Sequence, residues 1–354
     1  MKKFIFAFIL FFNTELCYAD SSADTHLINE MLTTVNNQYL YDVENEKIVS
    51  DGLQALSDLD KDIVVSKGTD KIYIYYRQKI AKIIPLPQDK SSIPQWVETV
   101  ARTFDGAAEI SETVSTKDFE LPDIFMKKIC ENLDKNSRYY SEYDYEEEDN
   151  GNLIYTLYSS RKIDNTLLIN IRVFNKQTAK AVAASLNEKK PYDNVIIDLR
   201  GNSGGMLNEA LKVAGFFTDG IIAYTAGRNN TNKHYYTSDS EIMFDGPLVV
   251  LTDKDTASAA EVLAGGLQAQ SRAKIVGTTT YGKGTIQNIT QMSNGGRLAL
   301  TSEQFFTPSD RAINGQGITP DYCQSEIIQG KCVKESRLKQ DEDIDKARRI
   351  LQNM

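Results

Sequence analysis

The sequence predicts an α/β protein: a core of alternating strands and helices, preceded by a mostly helical N-terminal region that carries one β-hairpin. Three observations predict it. From Thr166 onward, strand-like and helix-like stretches alternate, and the strands at Val195, Val249 and Ile275 are apolar throughout, as strands covered by helices on both faces should be. Ahead of Thr166, Leu27, Ile28, Met31, Leu32 and Val35 recur at helical spacing, as do Trp96, Val97, Val100, Ala101 and Phe104. Between those stripes, Lys71 to Tyr76 and Lys79 to Leu86 alternate like two paired strands, with Arg77-Gln78 as the turn.

The elements follow in order. Residues 1–19 read as a secretory signal: Lys2 and Lys3 are the charged region, Phe4 to Phe12 the apolar region, and Cys17-Tyr18-Ala19 the candidate cleavage site. Nine apolar residues are too few to span a bilayer. The chain is therefore expected to be exported, periplasmic or secreted, and at most peripheral to a membrane. Residues 20–140 form the mostly helical region, whose last helix, Pro122 to Leu133, carries Cys130 on its apolar face. Residues 141–165 form an acidic connector containing the run Glu142 to Asp149. Residues 166–322 form the core. Its strands are Leu167 to Val173, Asn194 to Arg200, and the runs around Val249 and Ile275. Its helices are Thr178 to Leu186, a stretch from Met206 to Ala214, and Ala259 to Gln268. Tyr224 to Asp239 reads as an exposed polar loop. Residues 323–354 hold a short hairpin loop and an amphipathic helix, Asp341 to Leu351.

Composition narrows the function classes. The 354 residues carry a net charge of −9, with lysines and glutamates interspersed, which gives no support for nucleic-acid binding. No cysteine–histidine spacing suits zinc, and no metal or other cofactor is expected. Of the four cysteines, Cys17 lies in the leader. Cys323 and Cys332 bracket a short polar loop and could pair in an oxidising compartment. The chain has only two histidines, His26 and His234, so a hydrolase built from it has little choice of base.

Two segments suit nucleophilic chemistry. Ser258 lies in Thr256-Ala257-Ser258-Ala259-Ala260-Glu261, after the apolar run Pro247 to Leu251 and at the start of a helix. There the helix N-terminus and its free N–H groups favour an oxyanion. Lys283 lies in Tyr281-Gly282-Lys283-Gly284-Thr285. A serine hydroxyl needs a base to take its proton, and a lysine is an accepted base when neutral, a state that burial favours. The plainer alternatives are an N-cap serine and a loop lysine. A third segment, Gly201-Asn202-Ser203-Gly204-Gly205, follows the strand ending at Arg200. Such a turn exposes backbone N–H groups to a phosphate or an oxyanion, but it matches neither a Walker A loop nor a dinucleotide fingerprint.

In this order and spacing the segments resemble the carboxy-terminal processing peptidases, also called tail-specific proteases. The likeness runs from about Leu133 to Asp321. It covers Leu133-Asp134-Lys135-Asn136-Ser137-Arg138-Tyr139, the Asp198 to Gly205 turn, Thr256 to Glu261, Tyr281 to Gln287, and Thr301 to Asp321 with Gly317-Ile318-Thr319-Pro320-Asp321. The resemblance implies Ser258 as nucleophile, Lys283 as base, and Gln287 as the residue that orients the lysine. It implies backbone oxyanion donors at Gly205 and Ala259, and a crotonase-like, Clp-peptidase-like core. The chain departs from the family in two places. Only 25 residues separate Tyr140 from the strand at Thr166, too few for the usual PDZ domain, because domains rarely fall below about 50 residues. Asp310 stands where the family usually has glycine.

The implied function is an exported serine endopeptidase that cleaves unfolded or extended polypeptides through a Ser–Lys dyad and an acyl-enzyme. The alternative from another class is a catalytically silent peptide- or ligand-binding member of the same fold. An acyl-CoA enzyme would share the fold but explains neither the Ser–Lys spacing nor the leader. A partner that presents substrate tails, and a homo-oligomer, both stay open.

Overall fold

The computed structural model describes residues 21–117, 120–142, 144, 157–230, 233–237, 241–323, 326–328, 331–333 and 340–354. The leader and most of the acidic run of the connector lie outside the described residues. The chain divides into two compact units.

The first unit comprises residues up to 34, 43–133 and 292–296. It holds α1 (Ser21–Gln38, which runs on into the second unit), α2 (Asn45–Leu53), α3 (Ala55–Leu59), β1 (Ile63–Lys67), β2 (Lys71–Tyr76), β3 (Lys79–Pro85), α4 (Ile93–Ala108), α5 (Glu112–Ser115) and α6 (Leu121–Leu133). The Ser92 side chain caps α4 by accepting from the Gln95 N–H, and Pro94 sits in the first turn, where a missing N–H costs nothing. The helical stripes pack inward: Ile28, Met31, Leu32, Trp96, Val100 and Phe104 are buried, as is Cys130. Gly52 lets α2 approach α6, since a methyl group there would lie 2.4 Å from the Phe125 ring. The hairpin turns at Arg77-Gln78 with φ of 48° and 67°, the mirror-image turn whose twist matches paired strands. The sequence indicated two strands, and the structure has three. Ile63–Lys67 pairs antiparallel with β2, burying Ile63 and Val65. At five residues its alternation is too short to stand out beside α3.

The second unit comprises residues 35–42, 134–291 and 297–354. In order it contains β4 (Arg138–Tyr140), β5 (Tyr158–Ile163), β6 (Thr166–Ile171), α7 (Thr178–Glu188), β7 (Asn194–Asp198), α8 (Leu207–Gly215), β8 (Ile221–Ala226), β9 (His234–Thr237), β10 (Leu248–Thr252), α9 (Ala259–Ala269), β11 (Lys274–Gly277), β12 (Thr285–Gln291), β13 (Arg297–Phe306), β14 (Tyr322–Cys323), β15 (Glu326–Ile328), β16 (Lys331–Val333) and α10 (Gln340–Leu351). Six strands form the main sheet in the order β14-β11-β10-β7-β6-β5. All its pairings are parallel except β5 with β6. One face, with Val195, Ile197, Leu248 and Val250, packs on α7, α8 and α9. The other, with Ile196, Val249 and Leu251, packs on Ile344, Ala347 and Leu351 of α10. This two-sided burial is why β7 and β10 read as continuous apolar runs.

A second sheet runs β12-β13-β8-β9, with β4 also on β13. Here the structure departs from the sequence reading. Tyr224 to Asp239 is not all loop: Tyr224–Ala226 ends the buried strand β8, and His234–Thr237 is the edge strand β9. The polar side chains of β9 reflect an exposed edge, which sequence alone does not distinguish from a loop. Tyr158–Ile163, at the end of the acidic connector, is likewise a strand.

Candidate active site

Three adjacent parallel strands end at the site. β7 runs into the Asp198–Gly205 turn, β10 into Thr256-Ala257-Ser258, and β11 into Thr278–Lys283. Side-by-side carboxyl ends of parallel strands are where open α/β sheets place their ligands. The strand order β11-β10-β7 thus gathers segments that lie up to 85 positions apart, from Asp198 to Lys283.

Ser258 stands immediately before α9 with φ 56° and ψ −123°, a conformation that costs a non-glycine residue about 1–3 kcal/mol. Ser258 holds the N-cap position of α9, in a capping box with Glu261. The glycine turn lies directly against it. A methyl group on Gly204 would sit 2.8 Å from Ser258 Cβ and 3.2 Å from the Ala259 nitrogen. Asn202, fully buried, ties the two segments together. Its Oδ1 accepts from Gly204 N (2.8 Å), its Nδ2 donates to Ile171 O (3.0 Å), and its carbonyl accepts from Ala257 N (2.8 Å). Gly205 is pinned from the other side, since a methyl there would lie 2.3 Å from Phe174 O. The N–H groups of Gly205 and Ala259 have no acceptor among the described residues.

Glu261 joins the serine segment to the lysine segment. It is fully buried. Its Oε2 accepts from the backbone N–H of Ser258 (2.9 Å) and of Lys283 (2.8 Å), and its Oε1 from Gly282 N (2.6 Å) and the Thr280 hydroxyl (2.5 Å). Burial pushes its carboxyl above the usual range, and these four hydrogen bonds pull it back only in part. Thr280 in turn accepts from Ile318 N (2.7 Å). Lys283 is half-buried, and its Nζ has no hydrogen-bond partner among the described residues. Gln287 on β12 donates through Nε2 to the hydroxyls of Thr285 (2.9 Å) and Thr301 (3.2 Å).

Sequence reasoning passed over Asn202, Glu261 and Thr280. For Glu261 a signal existed: Ser258-Ala259-Ala260-Glu261 has capping-box spacing. The other residues singled out lie as follows. Asp198 and Arg200 form a buried pair, Nη2 to Oδ2 at 2.7 Å, which Asp343 of α10 extends at 2.8 Å. Cys323 and Cys332 are joined in a disulfide with Cα atoms 5.6 Å apart. The Cys332 backbone bonds to Thr279, N–H to Oγ1 at 2.9 Å and O from N–H at 3.0 Å, a few residues before Lys283. Asp310 has φ 61°, which aspartate tolerates better than most residues. It accepts from the Tyr224 hydroxyl at 2.7 Å, and burial with this carboxylate pushes Tyr224 up to about 12. His234 is exposed on β9 beside Glu303 at 3.6 Å, and His26 is exposed on α1. Among the described residues no His, Cys, Asp or Glu cluster is arranged to hold a metal ion, and no helix is long and apolar enough to cross a membrane.

Residues 165–323 match the sequence model of peptidase family S41, and that stretch contains the three convergent segments. Over that stretch the chain is similar to this family. Among curated S41 relatives, the carboxyl-terminal-processing protease of Synechocystis is 39% identical over 156 residues, covering 43% of this chain and 36% of that protein. The carboxy-terminal processing protease CtpA of Bacillus subtilis is 34% identical over 168 residues, covering 47% and 36%. The chain thus spans about a third of the length of the curated relatives it matches. Among solved structures, a lipoprotein from Streptococcus agalactiae aligns over 90% of this chain and 99% of its own, with TM-score 0.51 and 16% identity. That likeness concerns the fold alone.

Proposed function

We propose that the protein is an exported serine endopeptidase that cleaves extended polypeptide segments. The observation that carries this reading is the single Glu261 oxygen that accepts from both Ser258 N and Lys283 N. It ties a strained serine segment and a lysine segment to one buried anchor. Ser258 Oγ attacks the scissile carbonyl carbon and its proton passes to the neutral Lys283 amine. The oxyanion forms beside the free N–H groups of Gly205 and Ala259. The peptide C–N bond breaks as Lys283 returns the proton to the leaving nitrogen. Water, deprotonated by Lys283, then hydrolyses the Ser258 ester. Gln287 orients the lysine, as the family resemblance implies.

Export is supported by the basic–apolar leader and by the Cys323–Cys332 disulfide, which needs an oxidising compartment to persist. Substrate selection is proposed to rest on the cleft around Ser258. β4 ends at Tyr140 and β5 starts at Tyr158, leaving fewer than about 20 residues where a domain would need some 50.

The test is cleavage of β-casein with fragments identified by mass spectrometry. Ser258→Ala and Lys283→Ala should each lower the rate at least about a thousandfold, His234→Ala should retain it, and the wild-type rate should rise from pH 6 to 9. Substantial activity in Lys283→Ala overturns the dyad. Wild-type protein that binds casein without cutting it favours the silent binder. Two substrates differing only in their last residues, one apolar and one charged, should be cut at similar rates. A preference above tenfold, about 1.4 kcal/mol, would show that the purified chain reads substrate tails.

A further inference from the structure

We propose that Thr301 and Thr285 are positioning residues, which fix the Gln287 amide so that its carbonyl oxygen, and not its NH2 group, is the end offered to Lys283. This rests on the Ser258–Lys283 reading above and adds to it a hydrogen-bond relay from a segment the mechanism otherwise leaves unused.

The relay follows from donor and acceptor counts. Asp134 accepts from Asn136 N (2.6 Å), Ser137 N (2.9 Å) and the Ser137 hydroxyl (2.8 Å). Burial alone would push its carboxyl up, but these bonds and one from Thr301 outweigh burial and hold it below the usual range. It is therefore a carboxylate at neutral pH, and a carboxylate only accepts. The Thr301 hydroxyl lies 3.2 Å from Asp134 Oδ1 and has one hydrogen, which goes there. Toward Gln287 the same oxygen can then only accept. That matches Gln287 Nε2 at 3.2 Å and excludes the flipped amide, which would set two acceptors face to face.

The second amide hydrogen goes to Thr285 Oγ1 at 2.9 Å, which also accepts from Asn136 Nδ2 at 3.0 Å. Both hydrogens of the Gln287 nitrogen are thus committed. Its Oε1 has no donor among the described residues. Thr301 and Ser137 are buried, so water competes little for these bonds.

The orientation matters because a neutral lysine has two N–H bonds and one lone pair. A carbonyl acceptor takes an N–H and leaves the lone pair free for the serine proton. An NH2 group in the same place would donate into that lone pair and block the base. Asp134, Asn136 and Ser137 thereby act on the reaction through Thr301, Thr285 and Gln287, without touching substrate.

The experiment is a double-mutant cycle read as kcat and KM on β-casein, with melting curves to confirm folding. Thr301→Val should lower kcat roughly tenfold at unchanged KM, the scale expected for a misaligned catalytic group. Thr301→Ser, which keeps the hydroxyl, should restore kcat to within about twofold. In a Gln287→Ala background, Thr301→Val should cause no further loss, because the residue it positions is gone. Thr285→Val, run through the same cycle, carries the test if Thr301→Val melts early. Full activity in Gln287→Ala, or an equal tenfold loss from Thr301→Val with and without Gln287, overturns the relay. Activity in Ser258→Ala or Lys283→Ala would instead overturn the underlying dyad, so the two failures are separable.

Discussion

Glu261→Gln is the substitution that most directly questions the site. The carboxylate accepts four hydrogen bonds, two on each oxygen, and three come from backbone N–H groups that cannot reorient. Glutamine keeps one acceptor oxygen and replaces the other with a group that can only donate. With the amide nitrogen toward Ser258 and Lys283, two N–H donors lose their acceptor; turned the other way, Gly282 N–H loses its acceptor and the Thr280 hydroxyl loses the oxygen it donates to. A hydrogen bond to a buried charged group contributes about 1.5–3 kcal/mol, so the gross loss is about 3–6 kcal/mol. Part is regained because an amide need not hold a charge away from water, the same burial that raises the glutamate's pKa. The net expectation is a loss of ~2–4 kcal/mol. Urea unfolding in a Ser258→Ala background, which excludes self-cleavage, should show a lower midpoint at unchanged slope. With Ser258 present, kcat/KM should fall by a hundredfold or more, since both reacting segments hang on this carboxylate. Glu209→Gln is the control. Glu209 is also buried and accepts from Ala179 N at 2.9 Å, so its loss should cost stability and leave kcat nearly unchanged. A stability change below ~0.5 kcal/mol in Glu261→Gln, or wild-type kcat/KM, would refute the tether.

The remaining expectations concern strain, close approach, the disulfide and acid stability. Ser258→Gly should be more stable than Ser258→Ala by ~1 kcal/mol, since glycine relieves the left-handed conformation at some entropic cost; urea midpoints decide it, and equal stabilities would mean no strain is stored. Gly204→Ala should cut kcat at least about a hundredfold, because its methyl would displace Ser258; near-normal kinetics would show that the turn yields. Reducing Cys323–Cys332, nine positions apart, should lower unfolding free energy by ~2.5 kcal/mol, an effect that Cys130→Ser keeps and Cys332→Ser abolishes; peptide mapping that finds two free thiols in protein exported from cells would refute the link. Because Asp134 is held below its unfolded value near 3.8, its contribution to stability is present above that pH and is lost as pH falls through the folded value. Wild type and Asp134→Asn should therefore differ at pH 7, with the gap beginning to close only as pH falls below about 3.8; curves that stay parallel would refute a depressed carboxyl.

Much of the site was legible locally. The glycines at 204, 205, 282 and 284, the helix that starts after Ser258, and the apolar runs at Val195, Val249 and Ile275 are properties of short windows. They sufficed to place Ser258 at a helix start and Lys283 in a glycine-flanked segment, and the spacing of Cys323 and Cys332 pointed to a short covalent loop; Gln287 came only from the family resemblance. Elements whose pattern is brief or half-polar were not legible. β1 alternates over only five residues, β5 hides in a polar connector, and β9 is an exposed edge.

What the tertiary structure alone decided is non-local. Parallel pairing in the order β11-β10-β7 sets three distant loops side by side, and no window of sequence encodes which strands will be neighbours. Glu261 shows the division at one residue. Its three-residue spacing from Ser258 marks it as a helix-capping side chain, which is a local property. Its second oxygen, bound to Thr280 and Gly282, and its bond to Lys283 exist only because β10 and β11 end together. The same holds for Asn202 and for the Asp134–Thr301–Gln287 contacts. Side-chain type and local period are written along the chain. The partners that satisfy a buried polar group are chosen by packing, because each such group must find a donor or acceptor among residues the fold brings to it.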